Sequence, residues 1–195
     1  VCCLSSLNLE KYDEWKDDPD MIGDVMRFLD NVLSDFINKA PEQFKDAKYS
    51  AERERSVGLG VMGFHSFLQQ KRIPLESVMA KSWNKKIFKN IHEKVNQASK
   101  DLAEERGACP DAAEYGFKER FSNKTAIAPT ASISIICGGA SPGVEPIAAN
   151  SYTHKTLSGS FNVRNRYLEE ILESHGKNDD CLLYTSPEPT RPIDI

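Results

Sequence analysis

Residues 125–137 read Thr-Ala-Ile-Ala-Pro-Thr-Ala-Ser-Ile-Ser-Ile-Ile-Cys. The run is small, β-branched and apolar, with a break at Pro129, which is the composition of buried strand interrupted by a turn. Just before it lies the longest helical pattern of the chain, residues 77–106. There Trp83, Ile87, Ile91, Val95, Ala98 and Leu102 form one stripe and Gly107 supplies a C-terminal stop. Just after it, residues 138–146 (GGASPGVEP) read as loop, and residues 165–175 as a short helix ended by Gly176. Toward the amino terminus, residues 57–70 show helical spacing through Leu59, Met62, Phe64, Phe67 and Leu68, and the polar stretch 42–56 reads as a connection. Residues 21–40 carry apolar side chains at 22, 25, 26, 29, 33, 36 and 37, a helix that Pro41 stops. The chain opens on Val1-Cys2-Cys3-Leu4-Ser5-Ser6-Leu7-Asn8-Leu9, a half-buried strand pattern. Short apolar strands alternating with helices give an α/β class, and no internal repeat is present.

The 195 residues suffice for one domain with a core of its own. Apolar residues make up 39% and charged residues 28%, with mean hydropathy −0.49, a balance that excludes disorder. Lysine and arginine number 25 against 29 acidic residues, for a net charge of −4. That argues against DNA or RNA as a partner, because nucleic-acid binding needs a basic surface. No apolar run approaches the roughly 18 residues of a membrane span.

The five cysteines, at 2, 3, 109, 137 and 181, show no C-x-x-C spacing and do not form the framework of a small secreted domain. A reducing, cytoplasmic compartment follows. His92-Glu93 begins like a zinc-binding H-E-x-x-H motif, but position 96 is Asn, so no metal site is expected. The first residue is Val and a strand pattern starts at once, so residues 1–180 read as an internal fragment of a longer protein. Residues 181–195 (CLLYTSPEPTRPIDI) carry three prolines and no period. They read as a linker or as a non-native tail resembling translated sequencing adapter.

Three motifs carry chemistry. Gly58-Leu59-Gly60-Val61-Met62-Gly63 fits G-x-G-x-x-G, yet the charged Ala51–Arg55 stretch before it cannot be the buried strand that a dinucleotide fold requires. Glycines that thin a helix face for close packing are the favoured reading. In Pro129-Thr130-Ala131-Ser132-Ile133-Ser134, a proline turn followed by small hydroxyl residues presents free N–H groups, which suits either a phosphate or a plain polar turn. Cys2-Cys3 admits two structural thiols, a strained vicinal disulfide, or a redox thiol, and strand alternation points only one of the two into any site.

These pieces together resemble the catalytic (large) subunit of ribonucleotide reductase. Cys2 to Leu9 is similar to that family's C-x-L-x-S-x-N-L strand, and Arg55-Ser56-Val57-Gly58-Leu59-Gly60-Val61 to its R-x-x-G-x-G-V helix start. Ala128 to Ser134 resembles its substrate-phosphate loop, and Ser141-Pro142-Gly143-Val144-Glu145-Pro146 the S-x-G-I-E-P loop that follows. The four motifs stand in the family's order and spacing.

The resemblance implies a portion of a ten-stranded α/β barrel and a nucleotide-reducing activity, used in deoxyribonucleotide supply, that proceeds by thiyl-radical chemistry with a cysteine pair as reductant. It implies Cys2 as a redox-active thiol, Leu4 beside the substrate, and Pro129, Thr130, Ala131, Ser132 and Ile133 lining its phosphate. It further implies a homodimer partner, a radical-generating, metal-bearing small subunit, and thioredoxin or glutaredoxin as external reductant. Adenosylcobalamin is the alternative radical source. The thiyl-forming cysteine, the other redox cysteine and the C-terminal shuttle pair lie outside this chain in the family, so the fragment alone is expected to be inactive. Ala131 stands where Gly is frequent, an expense of about 1 kcal/mol if that residue needs positive φ. A non-catalytic phosphate-binding α/β module is the rival reading.

Overall fold

The structure is a computed structural model that describes residues 1–156, 159–177 and 181–182. Most of the Pro-rich tail lies outside these; Cys181 is exposed. Two strands, β1 (Leu4–Asn8) and β2 (Gly58–Met62), pair in parallel, with Leu4 opposite Gly58, Ser6 opposite Gly60 and Asn8 opposite Met62. Thr125 adds one parallel bridge to Leu59 on the far side of β2. Between the strands run α1 (Tyr12–Trp15), α2 (Met21–Lys39) and α3 (Lys45–Glu54). After them come α4 (Phe64–Gln70), α5 (Val78–Arg106), α6 (Pro110–Glu114) and the single turn α7 (Ile133–Ile136). The antiparallel hairpin β3 (Ser151–Thr156) and β4 (Gly159–Arg164) leads into α8 (Arg166–Ser174).

The long helices form where apolar spacing and capping agree. Ser77 caps α5 by accepting the Ala80 N–H at 3.1 Å, and Gly107, at φ 89°, ends it. The expected stripe is buried at Ile87, Ile91, Val95, Ala98 and Leu102. Each of its larger side chains contributes roughly 1.5–3 kcal/mol by leaving water. It packs on α2, whose Ile22, Met26, Leu29, Leu33 and Ile37 are buried in the same core. Tyr12, Trp15, Phe67 and Trp83 close one end of this core edge to face, with ring centroids 5.1–5.7 Å apart.

Four expectations are corrected. Residues 58–62 are strand rather than helix: every residue of β2 is buried, so the apolar pattern shows no alternation to read. The glycines thin a strand face, and helix begins only at Phe64, after Gly63 at φ 77°. Residues 45–54, expected as connection, are helix, held by polar rather than apolar contacts. Of the 125–137 run only Thr125 pairs as strand; Thr130 sits at φ 52°, and the left-handed residue turns the chain into α7 instead. The hairpin over 151–164 had no counterpart in the sequence reading.

One buried carboxylate ties distant segments together. Asp30, fully buried on α2, accepts from Arg55 at 2.6 Å, Arg106 at 2.8 Å and Arg120 at 2.9 Å. Burial pushes its carboxyl up, but the three guanidiniums outweigh that and hold it below the usual carboxylate range. Arg55 reaches Asp30 because it ends α3 in the left-handed region, at φ 45°.

Candidate functional site

Alternation along β1 decides where the thiols go. Cys3 is buried, its Sγ 3.5 Å from the Leu29 carbonyl, and burial pushes its thiol up. Cys2 is exposed, on the face that carries Leu4, Ser6 and Asn8. Opposite Leu4 and Ser6 that face has a bare floor, because the β2 positions there are Gly58 and Gly60; Met62 follows opposite Asn8. A methyl group at Gly60 would lie 2.1 Å from the Ala126 carbonyl oxygen, so the segment leading to the phosphate-type turn rests directly on the sheet. A methyl group at Gly58 would meet both Leu4 Cδ2, at 2.5 Å, and Ala126 Cβ, at 2.8 Å. Leu4 and the crossing segment therefore share one surface.

The turn itself is built on Thr130. Its left-handed backbone is held by the Thr130 carbonyl, which accepts the Ser134 N–H at 2.9 Å, and by its side-chain oxygen, which accepts the Gly143 N–H at 2.7 Å. The Thr130 hydroxyl is thus buried and spent on the following loop instead of facing outward. Pro129, Ala131, Ser132 and Ile133 are exposed. The N–H groups of Ala131, Ser132 and Ile133 find no acceptor among the described residues, as expected of the first turn of a helix. Positive φ falls on Thr130 and not on Ala131, so alanine at that position carries no backbone cost.

Both ends of the site are anchored to the carboxyl ends of the parallel strands. Asn8 donates from Nδ2 to the Cys137 carbonyl at 3.4 Å, and Gly63 donates to the Ser141 carbonyl at 2.7 Å. Ser66 and Ser141 exchange N–H to Oγ bonds at 3.1 and 2.9 Å, fixing the Gly138–Pro146 loop on the start of α4. A cavity of about 440 Å³ beside α7 is lined by Ala131, Ser134, Ala140, Tyr152, Arg166 and Tyr167. Cys2 and Leu4 do not line it; they lie on the glycine-floored face. Among the described residues no group of three or more His, Cys, Asp or Glu side chains is placed to hold a metal ion. No helix among them is long and apolar enough to cross a membrane.

The exposed Cys2 thiol thus lies just before the amino end of β1, on the glycine-floored face, whereas the cavity and the turn, whose Ala131, Ser132 and Ile133 N–H groups have no acceptor among the described residues, are tied to the carboxyl ends of the parallel strands. The family model for the ribonucleotide reductase barrel domain matches residues 1–119 and 110–186. The chain belongs to the barrel-domain family of ribonucleotide reductase. It is 54% identical over 172 residues to a ribonucleoside-diphosphate reductase large subunit of Invertebrate iridescent virus 6, covering 88% of this chain and 18% of that protein. A vitamin B12-dependent ribonucleoside-diphosphate reductase of Thermoplasma acidophilum is 39% identical over 170 residues, covering 81% of this chain and 21% of that protein. The solved class Id ribonucleotide reductase alpha subunit of Actinobacillus ureae superposes with a TM-score of 0.83 at 38% identity. That match covers 95% of this chain and 34% of the solved one. The chain thus spans only about a fifth to a third of the length of these relatives.

The reductase barrel was legible in the four motifs. The Asp30 hub and the Gly143 tether of Thr130 were not, because neither leaves a fixed spacing in the sequence.

Proposed function

We propose that this chain is part of the catalytic subunit of a ribonucleoside-diphosphate reductase, with Cys2 as one of its two reducing thiols. Replacing the ribose 2′-hydroxyl by hydrogen releases water and consumes two electrons and two protons. A pair of thiols supplies both and becomes a disulfide, which an external dithiol such as thioredoxin or glutaredoxin resets by exchange. Cys2 is the exposed thiol on the β1 face that the turn-bearing segment crosses, and its partner comes from elsewhere in the full-length subunit. Leu4 packs beside the sugar. The N–H groups of Ala131, Ser132 and Ile133 take the phosphate oxygens, and Pro129 and Thr130 set the backbone that aims them.

The observation that carries this reading is the split of the adjacent cysteines. Cys2 is exposed on the face that the turn-bearing segment crosses, while Cys3 is buried against Leu29 on the opposite one. The radical source lies outside the chain. Viral large subunits at 54% and 47% identity, against 39% for the vitamin B12-dependent relative, favour a metal-bearing small subunit over adenosylcobalamin. A catalytic-subunit homodimer and a cytoplasmic location belong to the same proposal. The test is Cys2→Ser in the full-length subunit, meaning the chain extended to the length of its relatives. Dithiol-dependent turnover collapses while nucleotide binding persists. Loss of turnover in Cys3→Ser with Cys2→Ser active would overturn the assignment.

A further inference from the structure

β1 and α7 are separated by more than a hundred residues of sequence, yet one guanidinium joins their ends. Arg166, the first residue of α8, donates from Nη1 to the Gly138 carbonyl at 2.8 Å, just beyond the carboxyl end of α7. From Nη2 it donates to Glu10 Oε1 and, at 3.1 Å, to the Tyr167 hydroxyl. Glu10 stands in the turn directly after β1, and its side chain is only 10% exposed. Its second oxygen, Oε2, is buried and has no hydrogen-bond partner among the described residues. Arg166 is therefore the cation that neutralises this carboxylate. The planar fork of arginine serves a carboxylate and a carbonyl at once, whereas a lysine ammonium is a point charge on a flexible stem.

We infer that Glu10 and Arg166 form a positioning pair that sets the phosphate turn relative to the thiol strand, so that binding of the nucleotide's phosphate depends on it. The inference rests on the proposed function, since it assigns the pair to the same site. Neither residue touches the reacting atoms. The pair acts through Gly138 on the far end of α7, whose near end presents Ala131, Ser132 and Ile133.

The experiment uses the full-length subunit and measures thermal midpoint, KM and kcat for a ribonucleoside diphosphate, and equilibrium binding of that nucleotide. Arg166→Ala strands a buried carboxylate and lowers both the midpoint and the affinity. The expected rise in KM is about tenfold, within the roughly hundredfold that misplacing a binding group by about 1 Å can cost. Glu10→Gln combined with Arg166→Ala removes the stranded charge. It recovers most of the midpoint but leaves KM raised, with kcat within about twofold of the parent, the pattern of lost binding rather than lost chemistry. Arg166→Lys keeps the charge and fails to restore KM. If the double variant regains KM together with its midpoint, or if Arg166→Lys binds nucleotide as tightly as the parent, the pair is only structural and the inference falls. If the parent subunit itself binds no nucleotide, the functional reading falls first and takes this inference with it.

Discussion

Gly60→Ala tests the claim that the turn-bearing segment lies directly on the sheet. The added methyl would stand 2.1 Å from the Ala126 carbonyl oxygen, 3.2 Å from its carbon and 3.3 Å from Ile127 Cα. All three are backbone atoms, so no side chain can rotate away, and the segment must lift by about 1 Å to restore ordinary contact. Lifting it breaks the Leu59 N–H bond to the Lys124 carbonyl, 3.0 Å, and the Ala126 N–H bond to the Leu59 carbonyl, 3.3 Å. Overpacking costs typically about 1–3 kcal/mol, and each of the two lost hydrogen bonds about 1 kcal/mol, so the loss is roughly 3–5 kcal/mol. Two siblings calibrate the measurement. Gly58→Ala meets Leu4 Cδ2, which can rotate away, at 2.5 Å and Ala126 Cβ, which cannot, at 2.8 Å, and costs about 1–3 kcal/mol with no ladder hydrogen bond lost. Gly23→Ala, inside α2 with nothing within 4 Å, is neutral or stabilising by about 0.5–1 kcal/mol. Thermal unfolding of the three full-length variants, with nucleotide binding measured beside it, reads the order. A Gly60→Ala protein as stable as Gly23→Ala would show that the segment does not cross there.

The remaining predictions concern the hub, the turn and the thiols. Asp30→Asn leaves buried guanidiniums without a counter-charge and destabilises by about 3–5 kcal/mol at neutral pH, read by denaturant titration. Because the folded Asp30 carboxyl lies below its unfolded value, its contribution is complete above about pH 4 and is lost as acid carries the pH down through the folded pKa. An acid titration of Asp30→Asn should lack that limb. Thr130→Val keeps the shape but leaves the Gly143 N–H without its acceptor, costing about 1–3 kcal/mol; an unchanged unfolding midpoint would contradict the assigned hydrogen bond. Alkylation of the reduced subunit near pH 8, followed by peptide mass mapping, should modify Cys2 well before Cys3, whose thiol is buried and pushed up. Cys3 labelled ahead of Cys2 would place the strand one residue out of register, and equal labelling would contradict the burial of Cys3.

Legibility in the sequence followed burial asymmetry. α2, α5 and α8 each bury one stripe, so spacing revealed them, and Ser77, Asn165, Gly107 and Gly176 mark their ends in sequence and structure alike. β2 buries both faces, and its Leu59, Val61 and Met62 fit a helix as readily as a strand once Phe64 and Phe67 follow in true helix. α3 buries only Ala51, leaving its hydropathy silent. The turn was recognised from its residue types, but the carrier of the strain was not: Thr130 bears the positive φ, supported by a loop thirteen residues later. The Arg55, Arg106 and Arg120 convergence on Asp30 is tertiary, and no local pattern encodes it.

The Gly58 N–H donates to the Cys3 carbonyl, which fixes the phase of the parallel ladder. Ser5 and Leu7 carry the pairing with β2, and the backbone groups of Leu4, Ser6 and Asn8 turn to the other edge of β1. There the Trp15 indole N–H already occupies the Asn8 carbonyl, at 2.9 Å. A neighbouring strand that docks along this edge can zip past Leu4 and Ser6 but meets a plug at Asn8. A buried indole thus acts as an end-stop for any strand laid along this edge, opposing a two-residue slip toward the carboxyl end, which would keep every side chain on its proper face.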